Sequence, residues 1–421
     1  MKKITLFVAF VALGLAAGAQ TLNVQSAISD LQNANRETKT SKIYKFLSRA
    51  KTEIDEACEN ENTKSDAKTW CYAALIYSQI GDQSTKPDSK FREECPDWCE
   101  KALNAAMRCK ELDKNNEVAN LNNPVFRFVG NEYYSRAVNA YNEEKDYAKC
   151  ITLCEEAIKI FNNSGDSKYS DDAYYLAGLS AKVQKNNDAI LKYFKPLVRR
   201  KTDKKEVYRT LFNIYKDNKQ TDDAMKLANN YVKFYPNDYN ATMLQAEAYL
   251  LAGNVEKGNE TINKALEQTK DKPEVYAQLL GVAAATLENT NDYAGAEAKY
   301  QESLRLRPNQ FEANFGLGKM IFNRGVDKLD AANNVPPDDE TGLYDKLIEE
   351  SNGFFRQAIQ YFQSSVAYID ALPEGDAKNM QRANLFNTLS ALKQIYVRLE
   401  MYDDLKPINA RLDAIQAQAN Q

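Results

Sequence analysis

Apolar and small side chains recur along the chain with the spacing of amphipathic helices, in units of about 34 residues. In two of these units the recurring positions follow one another at the same steps of 3, 1, 3, 9, 4 and 3 residues. The first four positions of a unit fall on one face of a helix, and the last three fall on the facing side of a second helix. A period of this length predicts a solenoid, in which each helix pair buries its apolar face against its neighbours. These positions are Tyr134, Ala137, Val138, Tyr141, Cys150, Cys154 and Ala157 in one unit and Tyr208, Leu211, Phe212, Tyr215, Ala224, Ala228 and Tyr231 in the other.

Polar and helix-breaking residues separate the two stripes of each unit. In the unit that begins at Tyr208, the run Asp217-Asn218-Lys219-Gln220 interrupts the apolar pattern and predicts a short turn. Pro236 cannot continue a helix and predicts the end of the second helix. Small residues at the crossing allow the two helices to approach closely. The pattern therefore predicts an all-α, right-handed α-solenoid of stacked antiparallel helix pairs.

The repeated positions resemble the tetratricopeptide repeat, whose 34 positions carry a similar order of aromatic, small and apolar residues and a closing proline. The resemblance runs from about Trp70 to about Tyr402. It implies a groove, lined by the first helices, that binds a protein or peptide partner. Because this fold hosts many unrelated roles, the resemblance does not identify the partner. Further matching positions include Trp70, Ala73, Ala74, Tyr77, Gly81, Thr242, Ala246, Tyr249, Gly253, Gly258, Ile262, Ala265, Tyr293, Ala296, Tyr300, Ser303 and Pro308.

Irregular spacing divides the chain into segments. We predict a leader at residues 1–19, an N-terminal helical pair at 20–66, a repeat array at 67–402 and a capping helix at 403–421. The array carries insertions at 82–97 and 326–353, and the second contains Pro336-Pro337-Asp338-Asp339-Glu340. Insertions in repeat arrays often lie on a binding face. This insertion is interpreted either as such a loop or as a solvated connection between two lengthened helices.

The N-terminus has the pattern of a secretory leader. Lys2 and Lys3 precede the apolar stretch from Ile4 to Leu15, and Ala17-Gly18-Ala19 supplies a cleavage site before Gln20. The apolar stretch is too short to span a membrane comfortably. No cysteine directly follows the cleavage site. We therefore expect an exported protein without a membrane span, located in the periplasm, associated with the outer membrane or secreted.

Residues 50–57, together with Asn62-Thr63-Lys64 and Lys68-Thr69-Trp70, look like segments of exported tetratricopeptide proteins of Bacteroidetes-type bacteria. This second resemblance implies a location in the cell envelope.

The composition excludes several kinds of chemistry. The chain has no histidine, so histidine-based catalytic triads and histidine-containing zinc sites are excluded. Its 55 basic and 59 acidic residues give no basic footprint for nucleic acid. No glycine-rich phosphate loop or cluster of metal ligands is visible. The sequence therefore predicts no catalytic residue, cofactor or metal, and it leaves the oligomeric state open.

All seven cysteines lie between Cys58 and Cys154. Because export permits disulfides, we regard four cysteines on neighbouring predicted helices as candidates, with three pairings possible. Cys150 and Cys154 occupy positions that require small residues, which favours a packing role over a redox role. A thiol enzyme that uses Cys95 or Cys99 is a third functional hypothesis, although no basic partner is visible. The four disulfide candidates are Cys58, Cys71, Cys95 and Cys99.

The resemblance also assigns candidate groove residues. Arg209 and Asn213 match the start of a clamp that some tetratricopeptide proteins use for a peptide carboxylate, but Leu244 stands where the clamp requires an asparagine. Aromatic side chains at groove positions could anchor a peptide, stack on a sugar or have no binding role. The candidates are Tyr175, Glu206, Arg209, Asn213, Lys216, Asn240, Met243, Glu247, Phe315 and Phe322.

Besides the thiol enzyme, two functions therefore remain open. The first is a non-catalytic scaffold of the bacterial cell envelope that holds a protein or peptide in its groove. The alternative is a glycan-binding component of an outer-membrane uptake system. The absence of a lipid anchor and the presence of only two tryptophans count against the alternative.

Overall fold

The structure, a computed structural model, describes residues 22–289, 291–337 and 340–419, with side chains for all of these except 376–377 and 418–419. The predicted leader at residues 1–19 and the acidic pair Asp338-Asp339 lie outside the described residues.

The described residues form α-helices joined by short turns, and no strand is found among them. Within each half of the chain, consecutive helices pack as pairs, and each pair packs on the next. The predicted all-α fold of stacked helix pairs is confirmed. The helices are α1 (Leu22–Arg36), α2 (Thr40–Glu59), α3 (Ala67–Ser84), α4 (Phe91–Glu94), α5 (Trp98–Leu112), α6 (Ala119–Asn139), α7 (Tyr147–Asn162), α8 (Asp171–Val183), α9 (Asn187–Arg199), α10 (Lys205–Asp217), α11 (Thr221–Phe234), α12 (Tyr239–Leu251), α13 (Val255–Glu267), α14 (Pro273–Asn289), α15 (Tyr293–Leu306), α16 (Phe311–Asn333), α17 (Leu343–Asp370), α18 (Asp376–Met380), α19 (Arg382–Arg398) and α20 (Tyr402–Ala419).

Helix starts follow the repeat period. The first helices α8, α10, α12 and α14 begin at residues 171, 205, 239 and 273, which are 34 residues apart. The second helices α9, α11 and α13 begin at residues 187, 221 and 255, with the same spacing. The predicted turn at 217–220 separates α10 from α11, and α11 ends two residues before Pro236, so both predictions are confirmed.

The turns inside the regular helix pairs share one backbone conformation. Lys185, Lys219 and Gly253 adopt left-handed conformations, with φ of 55°, 58° and 75°. The next residue in each turn donates its backbone N–H to the carbonyl five residues earlier, at 3.0, 2.8 and 2.8 Å. This is the hydrogen bond that closes a Schellman motif at a helix end. Asn186 and Asn254 then cap the second helix with their side chains. The repeat is therefore encoded in the turns as well as in the apolar stripes.

Glycine makes room for aromatic rings where helices cross. In α8, a Cβ at Gly178 would overlap the ring of Phe194 in α9. In α16, a Cβ at Gly316 would overlap the ring of Tyr300 in α15. These rings are 0% and 2% exposed, so each fills space that a larger residue on the facing helix would occupy.

The chain divides into two compact units, residues 1–211 and 212–421, and the division falls within α10. The sequence did not predict this division. The insertion at 326–353 consists mostly of helix, since α16 continues to Asn333 and α17 begins at Leu343. The insertion at 82–97 contains the end of α3, an irregular connection and the short helix α4.

Candidate functional site

In the first unit, the first helices of two consecutive pairs place candidate groove residues side by side. The Tyr175 hydroxyl of α8 donates a hydrogen bond to the Glu206 carboxylate of α10 at 3.1 Å. Lys182 forms an ion pair with the same carboxylate at 2.5 Å. Arg209, one helical turn beyond Glu206, is exposed. We call the surface formed by Tyr175, Lys182, Lys204, Glu206 and Arg209 the α8–α10 face.

Tyr175 is held in place from two sides. Its ring stacks on the buried ring of Phe194, with centroids 6.0 Å apart and planes 17° apart. The Lys204 ammonium lies 4.5 Å from the centroid of the Tyr175 ring, within the range of a cation–π interaction. The ring is therefore only half-buried but fixed in orientation, which suits an aromatic contact for a ligand.

The ionisation states on this face are set by its own contacts. Partial burial, followed by the Glu206 charge, raises the pKa of Tyr175 to about 12. The hydrogen bond from Lys182 lowers the pKa of Glu206 below its usual value. At neutral pH, Tyr175 is consequently a neutral donor and Glu206 is a carboxylate. The face thus combines an aromatic ring with fixed charges of both signs.

The second unit contains the same kind of contact between first helices. Lys216 of α10 and Glu247 of α12 form an ion pair at 3.2 Å. Asn213 is exposed. Asn240 donates its side-chain amide to Asp238 at 2.8 Å, which ties it to the start of α12. Met243 packs partly buried against the core around Ile262. The structure therefore brings Lys216 and Glu247 together, and it uses Asn240 and Met243 for local structure.

Phe315 and Phe322 make internal contacts. The Phe315 ring stacks on Phe311 at 5.5 Å and meets Phe362 of α17 edge-on at 5.9 Å. The Phe322 ring lies 5.3 Å from that of Phe355. Both candidates are partly buried against the core shared by α16, α17 and α19. The lengthened α17 supplies the rings that engage them, so their described contacts are those of packing residues.

Tyr208, Tyr215 and Tyr300 occupy repeated positions of the predicted helix pairs and are buried, at 0%, 8% and 2% exposed. Tyr134, Tyr141 and Tyr249 also occupy repeated positions but are only partly buried.

Of the disulfide candidates, Cys95 and Cys99 are buried thiols, and Cys58 is a partly buried one. Burial raises the pKa of Cys58 and of Cys99 to about 12 and that of Cys95 to about 11. The Cys95 thiol also donates to Asp97 at 3.6 Å. Because the thiolate is the nucleophile, these raised pKa values count against the hypothesis of a thiol enzyme.

Cys150 and Cys154 are both 0% exposed. Ser180 of α8 donates its hydroxyl to the Cys150 sulfur at 3.2 Å. The hydrogen bond with Cys150, followed by burial, raises the pKa of Cys154. Their burial at a helix crossing agrees with the packing role that the sequence favours.

Cys71, the remaining candidate, is 0% exposed like Cys109, and interaction with Cys109 raises the pKa of the Cys71 thiol. Cys109 is not among the four cysteines that the sequence marked as disulfide candidates.

A separate cavity of about 270 Å³ opens beside the start of α2. Tyr44 and Phe91 form an aromatic pair in its wall, with ring centroids 5.0 Å apart. The Lys90 ammonium lies 5.2 Å from the Tyr44 ring centroid, and the Tyr44 hydroxyl donates to Glu94 at 2.7 Å. We call this space the Tyr44 cavity. Its lining consists of Thr40, Ser41, Tyr44, Gln83, Asp88, Ser89, Lys90 and Phe91.

Among the described residues, no group of three or more aspartate, glutamate or cysteine side chains is arranged to hold a metal ion. No helix in the described ranges has the length and apolarity that a membrane crossing requires.

The 34-residue spacing of the helices and their shared turn define a tetratricopeptide-like protein of stacked helix pairs. No family model matches the chain, and no curated protein matches it.

Solved structures with a similar chain fold include the apo form of RapI. It matches at 11% sequence identity and a TM-score of 0.41, with 96% of this chain and 99% of that chain covered. The C-terminal part of a TPR repeat-containing protein from Cytophaga hutchinsonii matches at 15% identity and a TM-score of 0.36, with 70% and 98% covered. YrrB, described as a TPR protein with an unusual peptide-binding site, matches at 17% identity and a TM-score of 0.34, with 48% and 94% covered. These values are too low for the likeness to support a function.

Proposed function

We propose that this protein is a non-catalytic scaffold that binds a peptide or an extended segment of a partner protein along its first helices. The observation that carries the proposal is the contact between Tyr175 and Glu206, which joins the first helices of two consecutive pairs. The ion pair between Lys216 and Glu247 repeats this relation in the second unit.

The α8–α10 face has the properties of a pre-formed recognition surface. The side chains of Lys182 and Glu206 are 49% and 42% exposed, so both remain accessible while they are paired. Tyr175 offers a ring whose orientation is fixed by Phe194. Because these side chains are already ordered, a ligand would not bear the full cost of immobilising them. An extended peptide could contact the exposed part of the ring and exchange hydrogen bonds with the charged groups.

The proposal includes export to the cell envelope. The leader pattern at residues 1–19 supports export. The absence of histidine and the raised thiol pKa values support a non-catalytic role.

The α8–α10 face can be tested with a peptide selected from a library of random linear peptides on the purified full chain. Replacing Tyr175 and Arg209 together by alanine is expected to raise the Kd of that peptide about tenfold or more, because the ring and the exposed cation would both be lost. Fluorescence anisotropy with the labelled peptide measures the change in Kd.

Arg199→Ala is the matched control, since Arg199 is an exposed arginine of the second helix α9 in the same unit. It should leave the Kd within about twofold, as expected for a position outside the contact. A peptide that binds the doubly substituted protein as tightly as the original would contradict the assignment of the face.

The Tyr44 cavity favours glycan binding as a second candidate function. Its volume of about 270 Å³ could admit a sugar ring. Tyr44 supplies an aromatic surface, and serine, threonine, glutamine and aspartate side chains supply hydrogen-bonding groups. This combination suits a sugar, whose ring has polar hydroxyl groups at its edge and apolar faces.

A glycan array probed with the full chain tests this candidate. Tyr44→Ala should abolish any glycan signal, whereas Tyr402→Ala, which removes a tyrosine that is 60% exposed, should retain it. Circular dichroism checks that both variants are folded. The candidate is rejected if no glycan binds, or if binding survives Tyr44→Ala.

A further inference from the structure

Helices α3 and α5 meet along a seam of small side chains. Gly81, near the end of α3, lies against the ring of Trp98 at the start of α5. Further along, the Lys101 ammonium lies 5.5 Å from the centroid of the Tyr77 ring. Moving back along α3 therefore corresponds to moving forward along α5. This antiparallel register places Cys71, near the start of α3, opposite Cys109, near the end of α5.

The seam between these two points is closely packed. Ala74 of α3 and Ala102 and Ala106 of α5 are 0% exposed, as are both cysteines. Small residues on facing helices allow the backbones to approach closely. Both cysteines belong to the same buried core, and their interaction raises the pKa of the Cys71 thiol. The helix register and the shared burial of the two cysteines thus identify the same pair, and the raised pKa of Cys71 agrees with it.

We propose that Cys71 and Cys109 form an intramolecular disulfide that joins α3 to α5. One cysteine thiolate attacks a low-molecular-weight disulfide and releases one thiol, which gives a mixed disulfide. The second cysteine thiolate then attacks the protein sulfur of that mixed disulfide and releases the second thiol. The two cysteines lose two protons and two electrons, and the small disulfide is reduced to two thiols.

The bond should form during folding. Hydrogen bonding with Cys109, followed by burial, raises the pKa of Cys71. Little thiolate is then available in the folded unit, and neither sulfur is accessible to a small disulfide. Oxidant added after folding should therefore react slowly. The completed bond would join the two helices of a pair through its core and restrict the unfolded chain.

Refolding the full chain in a buffer of oxidised and reduced glutathione tests the proposal. The product is denatured, alkylated with iodoacetamide and mapped by mass spectrometry without reduction. We expect a peptide pair linked through Cys71 and Cys109, an intact mass before alkylation about 2 Da below that of the fully reduced chain, and alkylation of the other cysteines. We also expect a reductant to lower the melting temperature of this product.

Cys71→Ala and Cys150→Ala provide matched variants, since each removes one buried thiol from the same unit. Cys150→Ala should retain the linked peptides, and Cys71→Ala should lack them. The disulfide map of the wild-type chain tests the proposal even if a variant folds poorly. Alkylation of all seven cysteines, or a link between Cys71 and a cysteine other than Cys109, would overturn the proposal.

Discussion

Phe194→Ala is expected to lower the free energy of unfolding of the first unit by about 3–5 kcal/mol, the usual cost of removing a fully buried phenylalanine ring. The ring is 0% exposed. It lies in the space that Gly178 leaves open and supports the ring of Tyr175. Alanine would leave a cavity at the crossing of α8 and α9. Urea denaturation followed by circular dichroism measures the loss, with the transitions of the two units fitted separately.

Phe194→Ala should also weaken peptide binding at the α8–α10 face. Without the Phe194 ring, Tyr175 loses its stacking partner, so the selected peptide should bind more weakly under conditions in which the variant remains folded. Tyr402→Ala is the control for loss of an exposed ring and should change stability by no more than about 0.5 kcal/mol. Equal stability of Phe194→Ala and Tyr402→Ala would show that the described packing is wrong.

Gly316→Ala is expected to destabilise the second unit by about 1–3 kcal/mol, because the added methyl group would overlap the buried ring of Tyr300 and force it to move. Alanine is otherwise favoured over glycine in a helix. The effect therefore depends on the overlap. Thermal and urea unfolding of the second unit measure it.

Gly353→Ala makes the same change in helix α17 of the same unit, where a Cβ would meet no atom within 4 Å. This variant should be stabilised by about 0.5–1 kcal/mol, the difference in helix propensity between the two residues. The two substitutions are thus predicted to have opposite signs. A stabilising Gly316→Ala would contradict the described crossing of α15 and α16.

The helix pairs could be predicted from the sequence because their signals are local and repeated. Each regular unit carries its own apolar stripes, and a polar turn such as 217–220 stands between them. The structure places α10 and α11 on the two sides of that turn. A solenoid needs few contacts between distant residues, so a local pattern determines most of its architecture.

The candidate site was only partly predictable. Tyr175 and Glu206 both follow from groove positions in successive repeats, and the structure brings them into contact. Lys204, which covers the Tyr175 ring, precedes α10 and has no position on the first-helix stripe. The packing of Phe315 depends on the lengthened α17, whose extent is set by an insertion outside the repeat pattern.

The local sequence pattern also could not predict which cysteines lie next to each other. The proposed disulfide between Cys71 and Cys109 depends on the register in which α3 packs against α5. The connection between these helices contains the insertion at 82–97, so sequence spacing alone does not determine that register.

Our central claim is that the first helices carry the binding face, and site-specific photo-crosslinking tests it most directly. A benzophenone amino acid is placed at Arg209 on α10 in one protein and at Arg199 on α9 in another, both exposed positions of the first unit. Each protein is irradiated with the selected peptide, and the adducts are measured by mass spectrometry. We predict an adduct from position 209 and little from position 199. An adduct from position 199 with none from position 209 would contradict the claim.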